Sequence, residues 1–511
     1  MSTNPILSQA PDPKVAVARG GGDKEPTWLR RNWSLLLAVA ALIAITLAPT
    51  PEGLSVAGQR MLAILIFAII VWMTEVLDYA VSALVIGGLI ALLLGFAPNV
   101  NAPETLLGTS RALGLAFSGF SNTAWVLVTV ALFLAAAMQV TKLDKRIALY
   151  ILSKVGPDIS HVVFGSIVVG IVMAFLIPST TARVACIVPI MLGIITVFGV
   201  DRKGALAGML MITTVSTASI WNVGIKTAAA QNMVAVGFIE RELGYIITWG
   251  EWFIAAAPFA LVMSVALYFI MTRMMPPEVT EVPGGREAIR QSLAELGPMS
   301  GPEKRLLTIS LTLLVLWSTE GVLHRIDTST STTVAVALMF MPGVGIMNWK
   351  QAEAKIPWGT VVLFGIGISL GSALLSTGAA TYLANLVVDT FGLSSAAPLM
   401  VLMILALFLT VVHLGFASAT ALASAMIPIV IAVFKAINVD AATIVGMTML
   451  LQFVVSFGFI LVVNAPQNMV AYGSGTFTPK DFTRVGLVIT VAALAVFFLM
   501  SVTYWTWLGY V

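Results

Sequence analysis

The stretch Ile177 to Ile190 reads IPSTTARVACIVPI. A short hydroxyl-bearing knot, Ser179-Thr180-Thr181, stands between two apolar runs, 162–177 and 184–200, of 16 and 17 residues. A full membrane span needs about 20 apolar residues, so neither run is comfortable alone. Basic residues flank the pair at both outer ends, Lys154 before it and Arg202 and Lys203 after it. Lys and Arg favour the cytoplasmic side, so both ends are expected on one face. The pattern predicts a re-entrant hairpin over 162–200 with its tip at 178–181. Irregular backbone at such a depth is tolerated only where it packs against protein or lines a cavity.

The chain repeats this pattern. Ser418-Ala419-Thr420-Ala421, six residues, then Pro428-Ile429 answers Ser179-Thr180-Thr181-Ala182, six residues, Pro189-Ile190, at an offset of 239. Trp317 to Glu320 answers Trp72 to Glu75 at 245, and the run 362–384 answers 126–148 at 236. Ala465-Pro466-Gln467-Asn468 answers Ala229-Ala230-Gln231-Asn232, also at 236. Four blocks in the same order mark an internal repeat. The amphipathic stretch after 141 holds Lys142, Lys145, Arg146 and Lys154, while its counterpart at 378–390 holds no Lys or Arg. That asymmetry predicts that the two halves are inverted in the membrane, an arrangement that places a binding site at the repeat interface.

The composition sets the class. The 511 residues are 59% hydrophobic and 10% charged, against roughly 25% charged in soluble domains. The chain is therefore an integral membrane protein, and its net charge of +3 carries no nucleic-acid signal. One cysteine, Cys186, excludes an internal disulfide, and the three histidines are too scattered to make a metal site. A P-loop, an H-E-x-x-H motif and intramembrane carboxylate pairs are all missing, so a pump or an enzyme is not expected. No charged ring or filter-like repeat suggests a channel.

The expected architecture is an all-α polytopic membrane protein of about 11 spans plus two re-entrant hairpins. Residues 1–32 are predicted to be a disordered cytoplasmic tail. Residues 33–275 hold the first helix and repeat one, 276–304 a hydrophilic cytoplasmic linker, and 305–511 repeat two. The run 204–238 reads as one broken helix, interrupted at 222–226 and 228–232. With the N-terminus inside, the expected location is a bacterial inner membrane.

Two hairpin tips and two helix breaks supply hydroxyls, freed main-chain groups and half-helix ends. Helix N-termini attract anions, and freed carbonyls attract cations. The candidate substrate contacts are Ser179, Thr180, Thr181, Ser418, Ala419, Thr420, Ala229, Ala465 and Pro466. Gln231, Asn232, Gln467 and Asn468 are candidates for holding the broken backbone. Arg183 and Lys226 are ionisable residues within the membrane region, where charge is costly and marks function. Their counterparts are Leu422 and Val462, so the charge belongs to one half. No Asp or Glu accompanies them at the tips or breaks, which predicts an anionic substrate.

From about residue 55 to the end, these motifs resemble the divalent anion/sodium symporter family of di- and tricarboxylate, sulfate and plastid 2-oxoglutarate/malate carriers. The family's Ser-Asn-Thr tips carry over onto Ser179-Thr180-Thr181 and Ser418-Ala419-Thr420. Its helix breaks carry over onto Ala228 to Asn232 and Asn464 to Asn468. The resemblance implies a homodimer with an elevator-type mechanism, a small divalent anion as substrate and no cofactor. It also implies possible sodium sites at the main chain and hydroxyls of Ser179, Ala228, Ser418 and Asn464. Both tip asparagines are replaced here, by Thr180 and Ala419. The run Thr181-Ala182-Arg183 is similar to the dicarboxylate exchanger branch. A fixed cation at Arg183 or Lys226 in place of bound sodium favours exchange of C4-dicarboxylate, 2-oxoglutarate or citrate. Sodium-coupled symport and carriage of sulfate or a sulfonated anion are the alternatives.

Overall fold

The computed structural model describes residues 32–156, 158–197, 199–277 and 285–511. The tail expected over 1–32 lies, but for Asn32, outside the described residues. The opening helices are α1 (Trp33–Leu47), α2 (Val56–Thr74) and α3 (Tyr79–Leu89), the last continued by a π turn at Ile90–Leu94. One departure from an all-α chain follows. Pro98–Asn99 (β1) and Ala102–Leu106 (β2) form an antiparallel ribbon. Pro98, Asn99 and Pro103 are turn and edge residues that a helix excludes, which accounts for the interruption.

The ribbon leads to α4 (Thr109–Ala116), a 3-10 turn at Ser118–Ser121, and α5 (Thr123–Thr141), whose N-terminus is capped by Asn122. A surface helix α6 (Leu143–Ser153) precedes the first helical hairpin, α7 (Ile159–Leu176) and α8 (Thr180–Val197). The hairpin turns at Ile177-Pro178-Ser179, so Thr180 and Thr181 belong to the first turn of α8 rather than to the irregular tip. The Ser179 hydroxyl accepts from the Ala182 N–H at 3.3 Å, as a helix-start serine does.

The broken helix comes next, as α9 (Ala205–Gly224), a 3-10 turn at Lys226–Ala228, and α10 (Ala230–Leu243). The irregular backbone is thus 225–229. Gln231 and Asn232 already lie in α10. Helix α11 (Trp249–Met274) starts on a Thr248/Glu251 capping box. The linker expected as a loop contains α12 (Gly285–Glu295). It is tied to α6 by Arg146, whose Nε meets Glu303 Oε1 at 2.6 Å and whose Nη1 donates to Gly297 O at 2.8 Å.

The second half holds α13 (Gly301–Thr319), α14 (Thr328–Leu338), α15 (Trp349–Glu353), α16 (Trp358–Ser376) and α17 (Ala379–Phe391). The second hairpin is α18 (Pro398–His413) and α19 (Ala419–Ala436), and the second break separates α20 (Ala441–Val455) from α21 (Pro466–Tyr472). This break, 456–465, is twice as long as the first. The chain closes with α22 (Pro479–Ser501) and α23 (Tyr504–Trp507).

Nine helices among the described residues are long and apolar enough to cross a membrane, and the protein is a multi-pass membrane protein. Four apolar helices, α1, α3 with its π turn, α18 and α20, are shorter. Helix α9 is buried over its whole length, so it forms the centre of the bundle. The chain leaves α5 through Lys142 at φ 60° and leaves α16 through Gly378 at φ 77°, the same left-handed turn 236 residues apart. Glycine takes this turn freely, whereas a lysine there costs about 1–3 kcal/mol and must be held by its surroundings.

Candidate functional site

A cavity of about 500 Å³ lies where the two hairpin tips and the two helix breaks converge. Four helices begin at its wall. Thr180, Thr181 and Ala182 open α8, Ala419 and Thr420 open α19, Ala230 and Gln231 open α10, and Pro466 and Gln467 open α21. The first turn of each helix carries N–H groups without intrahelical partners and the positive end of the helix dipole. Four such ends lining one space give it hydroxyls and positive dipole ends, which can hold an anion. Ser179, Ser418 and Ala465 complete this wall.

The breaks are held open by matched contacts. Asn232 Nδ2 donates to the carbonyls of Asn222 (2.6 Å) and Ile225 (3.1 Å). Asn468 Nδ2 donates to those of Gly458 (2.9 Å) and Leu461 (3.4 Å), in each case 236 positions on. Gln231 Nε2 donates to Ser456 Oγ at 3.3 Å, and Gln467 Nε2 donates to Ser219 Oγ at 3.2 Å. Each break is therefore fastened to the helix that leads into the other.

The C-terminal ends of the helices that lead into the two tips, α7 and α18, are held by a different group in each half. Arg183 is fully buried, and its guanidinium donates to Ile177 O (2.8 Å), Ala228 O (2.9 Å), Ala218 O (3.3 Å) and Asn222 Oδ1 (2.5 Å). It thus ties the first tip to the first break. Thr180 Oγ1 donates to the same Asn222 oxygen at 2.7 Å. In the second half Asn464 Nδ2 donates to His413 O (2.8 Å), Leu414 O (3.3 Å) and Phe416 O (3.1 Å). His413 Nε2 lies 3.4 Å from Asn464 O, the counterpart of Ala228 O. A buried guanidinium without a carboxylate is costly, and the four acceptors, two at or beyond helix C-termini, offset that cost.

The structure does not bring all the expected residues to the cavity. Ala228, Ala229, Asn232, Asn464 and Asn468 form the breaks behind its surface, and Arg183 lies one layer behind Thr180. Lys226 is turned away from the cavity, with Nζ donating to Ile247 O at 2.6 Å, next to the start of α11. Neither cation lines the cavity. Position along a broken helix does not tell which side of the break a long side chain takes.

Other residues were not legible as site residues. Asn222 lines the cavity and receives both Thr180 and Arg183. Its only sequence signal is a polar side chain at the end of an apolar helix. The facing wall comes from α3, α5 and the start of α16. It presents Tyr79, Gln139, Lys355 and Thr360 among the apolar Val128, Leu132 and Leu363. None of these falls in the repeated tip and break motifs.

Comparisons with known proteins agree with this architecture. A sequence model described as "Sodium:sulfate symporter transmembrane region" matches residues 29–511. A Cupriavidus necator chain named only "Membrane protein" is 53% identical over 483 residues, covering 94% of each chain. The L-tartrate/succinate antiporter of Escherichia coli K12 is 26% identical over 469 residues, 89% of this chain and 94% of that protein. The crystal structure of the Alcanivorax borkumensis YdaH transporter superposes with a TM-score of 0.54. It covers 84% of this chain and 97% of its own at 13% identity, and so is a likeness of fold alone.

Proposed function

We propose, from the premise that this chain belongs to the sodium:sulfate symporter family of divalent-anion transporters, that it exchanges divalent organic anions of the C4-dicarboxylate class without sodium. The observation that carries this reading is the pair of break carbonyls, Ala228 O and Asn464 O. Each faces a nitrogen from its own hairpin, Arg183 Nη1 at 2.9 Å and His413 Nε2 at 3.4 Å. Carbonyls freed by a broken helix form a natural cation site. Here a tethered guanidinium serves that need in the first half. It supplies the positive charge behind the tip that a bound sodium ion would otherwise bring. Lys226, directed at Ile247 O, contributes only to the general positive field.

A fixed charge has a consequence for the transport cycle. When substrate leaves, Arg183 stays, so the empty site keeps an uncompensated positive charge in a region of low dielectric. Moving that site across the membrane unloaded is unfavourable, and return with a second anion is favoured. The relative named as an L-tartrate/succinate antiporter supports exchange as the mode. The cross contacts of Gln231 with Ser456 and of Gln467 with Ser219 join each repeat to the other in the same way, to within one residue of the 236 offset, which supports inverted repeats. An elevator movement, a homodimer, re-entrant insertion of the two hairpins and a cytoplasmic N-terminus in a bacterial inner membrane complete the proposal.

The test is uptake of labelled succinate into proteoliposomes, with and without sodium and with and without internal dicarboxylate. Uptake that needs internal anion and ignores sodium supports exchange. Sodium-dependent uptake into empty vesicles overturns it in favour of symport. Movement of sulfate but not succinate replaces the substrate class.

A further inference from the structure

Lys355 is the one charged side chain that lines the cavity among the described residues, and it belongs to neither the tips nor the breaks. Its main chain is fixed. The Lys355 and Ile356 N–H groups both donate to Ala352 O, at 2.9 and 3.1 Å, and Pro357 follows before α16 begins. The side chain is exposed and enters none of the ion pairs among the described residues. Tyr79 on the same wall is already committed, donating to Glu75 at 2.7 Å. Position 355 matches none of the repeated tip or break motifs, so the charge is an addition to one half.

Resting on the transport reading, we infer that Lys355 is a charge-selecting entry residue. It gathers dianions into the cavity and holds them before they settle on the helix starts. The helix starts and the buried Arg183 act on an anion once it has settled, so at the mouth Lys355 is the one charged side chain in the lining that meets a monoanion or a dianion first. An ammonium at the mouth distinguishes them. The Coulomb energy of a dianion is twice that of a monoanion at the same distance, so the gain in local concentration is squared. A factor of about threefold for a monoanion becomes about ninefold for a dianion, within the range expected of charged clefts. Because Lys355 is exposed, its effect is screened by salt, with a Debye length of about 30 Å at 10 mM falling to about 3 Å at 1 M.

The experiment is exchange of labelled succinate in proteoliposomes by the full-length protein and by Lys355→Gln and Lys355→Arg, at low and high ionic strength, with monomethyl succinate as competing monoanion. The expected result for Lys355→Gln is a KM for succinate raised about ninefold at low salt. Its Vmax and melting temperature are unchanged, and the defect shrinks at high salt. Monomethyl succinate competes about threefold less well, and Lys355→Arg behaves as the parent. An unchanged KM overturns the inference. So does a defect that persists at high salt, or an arginine variant as impaired as the glutamine. A parent protein that moves neither succinate nor sulfate overturns the transport reading and this inference with it. Lys355→Gln with parent kinetics overturns this inference alone.

Discussion

The Arg183 guanidinium donates to the Ala228 carbonyl at 2.9 Å, joining the tip of the first helical hairpin to the break in the helix beside it. The two residues lie 45 positions apart, and the contact lets one side chain hold two irregular backbones together.

Arg183→Ala leaves Ile177 O, Ala228 O and the Asn222 amide without their shared donor. Each buried acceptor left without a donor costs about 1–3 kcal/mol. Melting in detergent is expected well below the parent, with exchange lost. If the guanidinium stands where a cation is needed, sodium raises the melting temperature of this variant and not of the parent. A sodium response equal in both sinks that part of the reading.

Thr180 and Thr420 offer hydroxyls from matched helix starts. Valine at either position keeps the shape and removes the hydroxyl. Loss of one hydrogen bond to a charged ligand costs about 1.5–3 kcal/mol, so KM for the anion rises about tenfold or more. The KM effect is expected mainly at Thr420, because the single O–H of Thr180 already donates to Asn222, so that Thr180→Val first loosens that contact and lowers the melting temperature. Kinetics of exchange in proteoliposomes check this, and an unchanged KM at both positions places the anion elsewhere.

Gln231 with Ser456 and Gln467 with Ser219 fasten the two breaks to each other's helices. Double-mutant cycles on each pair, with leucine for glutamine and alanine for serine, are expected to give coupling of about 1 kcal/mol in melting stability. The two cycles agree if the halves are related by a two-fold axis. Coupling in one pair and none in the other argues against that symmetry.

Gly486 on α22 lies against the main chain of Phe459 and Ile460, inside the second break, with no room for a Cβ. Gly486→Ala is expected to push the break outward, because the added Cβ would overlap the Phe459 carbonyl, which is main chain and cannot rotate aside. Overpacking of this kind costs about 1–3 kcal/mol. Substrate KM should rise more than for Gly88→Ala, a position with open space around it. Equal kinetics in the two variants means the second break does not shape the site.

Much of the architecture was legible because it is written in local patterns. The hydroxyl knot at 179–181 and its echo at 418–420 located both tips, since a polar cluster between short apolar runs has few other uses in a membrane protein. The end of α5 was legible as the point where the apolar run gives way to the basic stretch at Lys142, which closes the helix in a left-handed turn. Legibility failed where the signal is not periodic. The ribbon at Pro98–Leu106 and the helix Gly285–Glu295 lie outside the apolar runs that dominate such a reading. Lys355 belongs to the site through space and not through any motif, and Asn222, marked only as the edge of a break, gains its contacts to Thr180 and Arg183 through space.

By itself the sequence determined a membrane protein with a duplicated plan. It also located the two tips and two breaks, because hydropathy and repetition depend only on the order of residues. The tertiary structure alone decided what those pieces do to one another. It put four helix starts on one cavity and turned Arg183 inward to the helix C-terminal ends. It sent Lys226 to Ile247 and set Lys355 on the facing wall. A long charged side chain reaches several ångströms in any direction from its backbone, and which direction it takes depends on the acceptors packed around it.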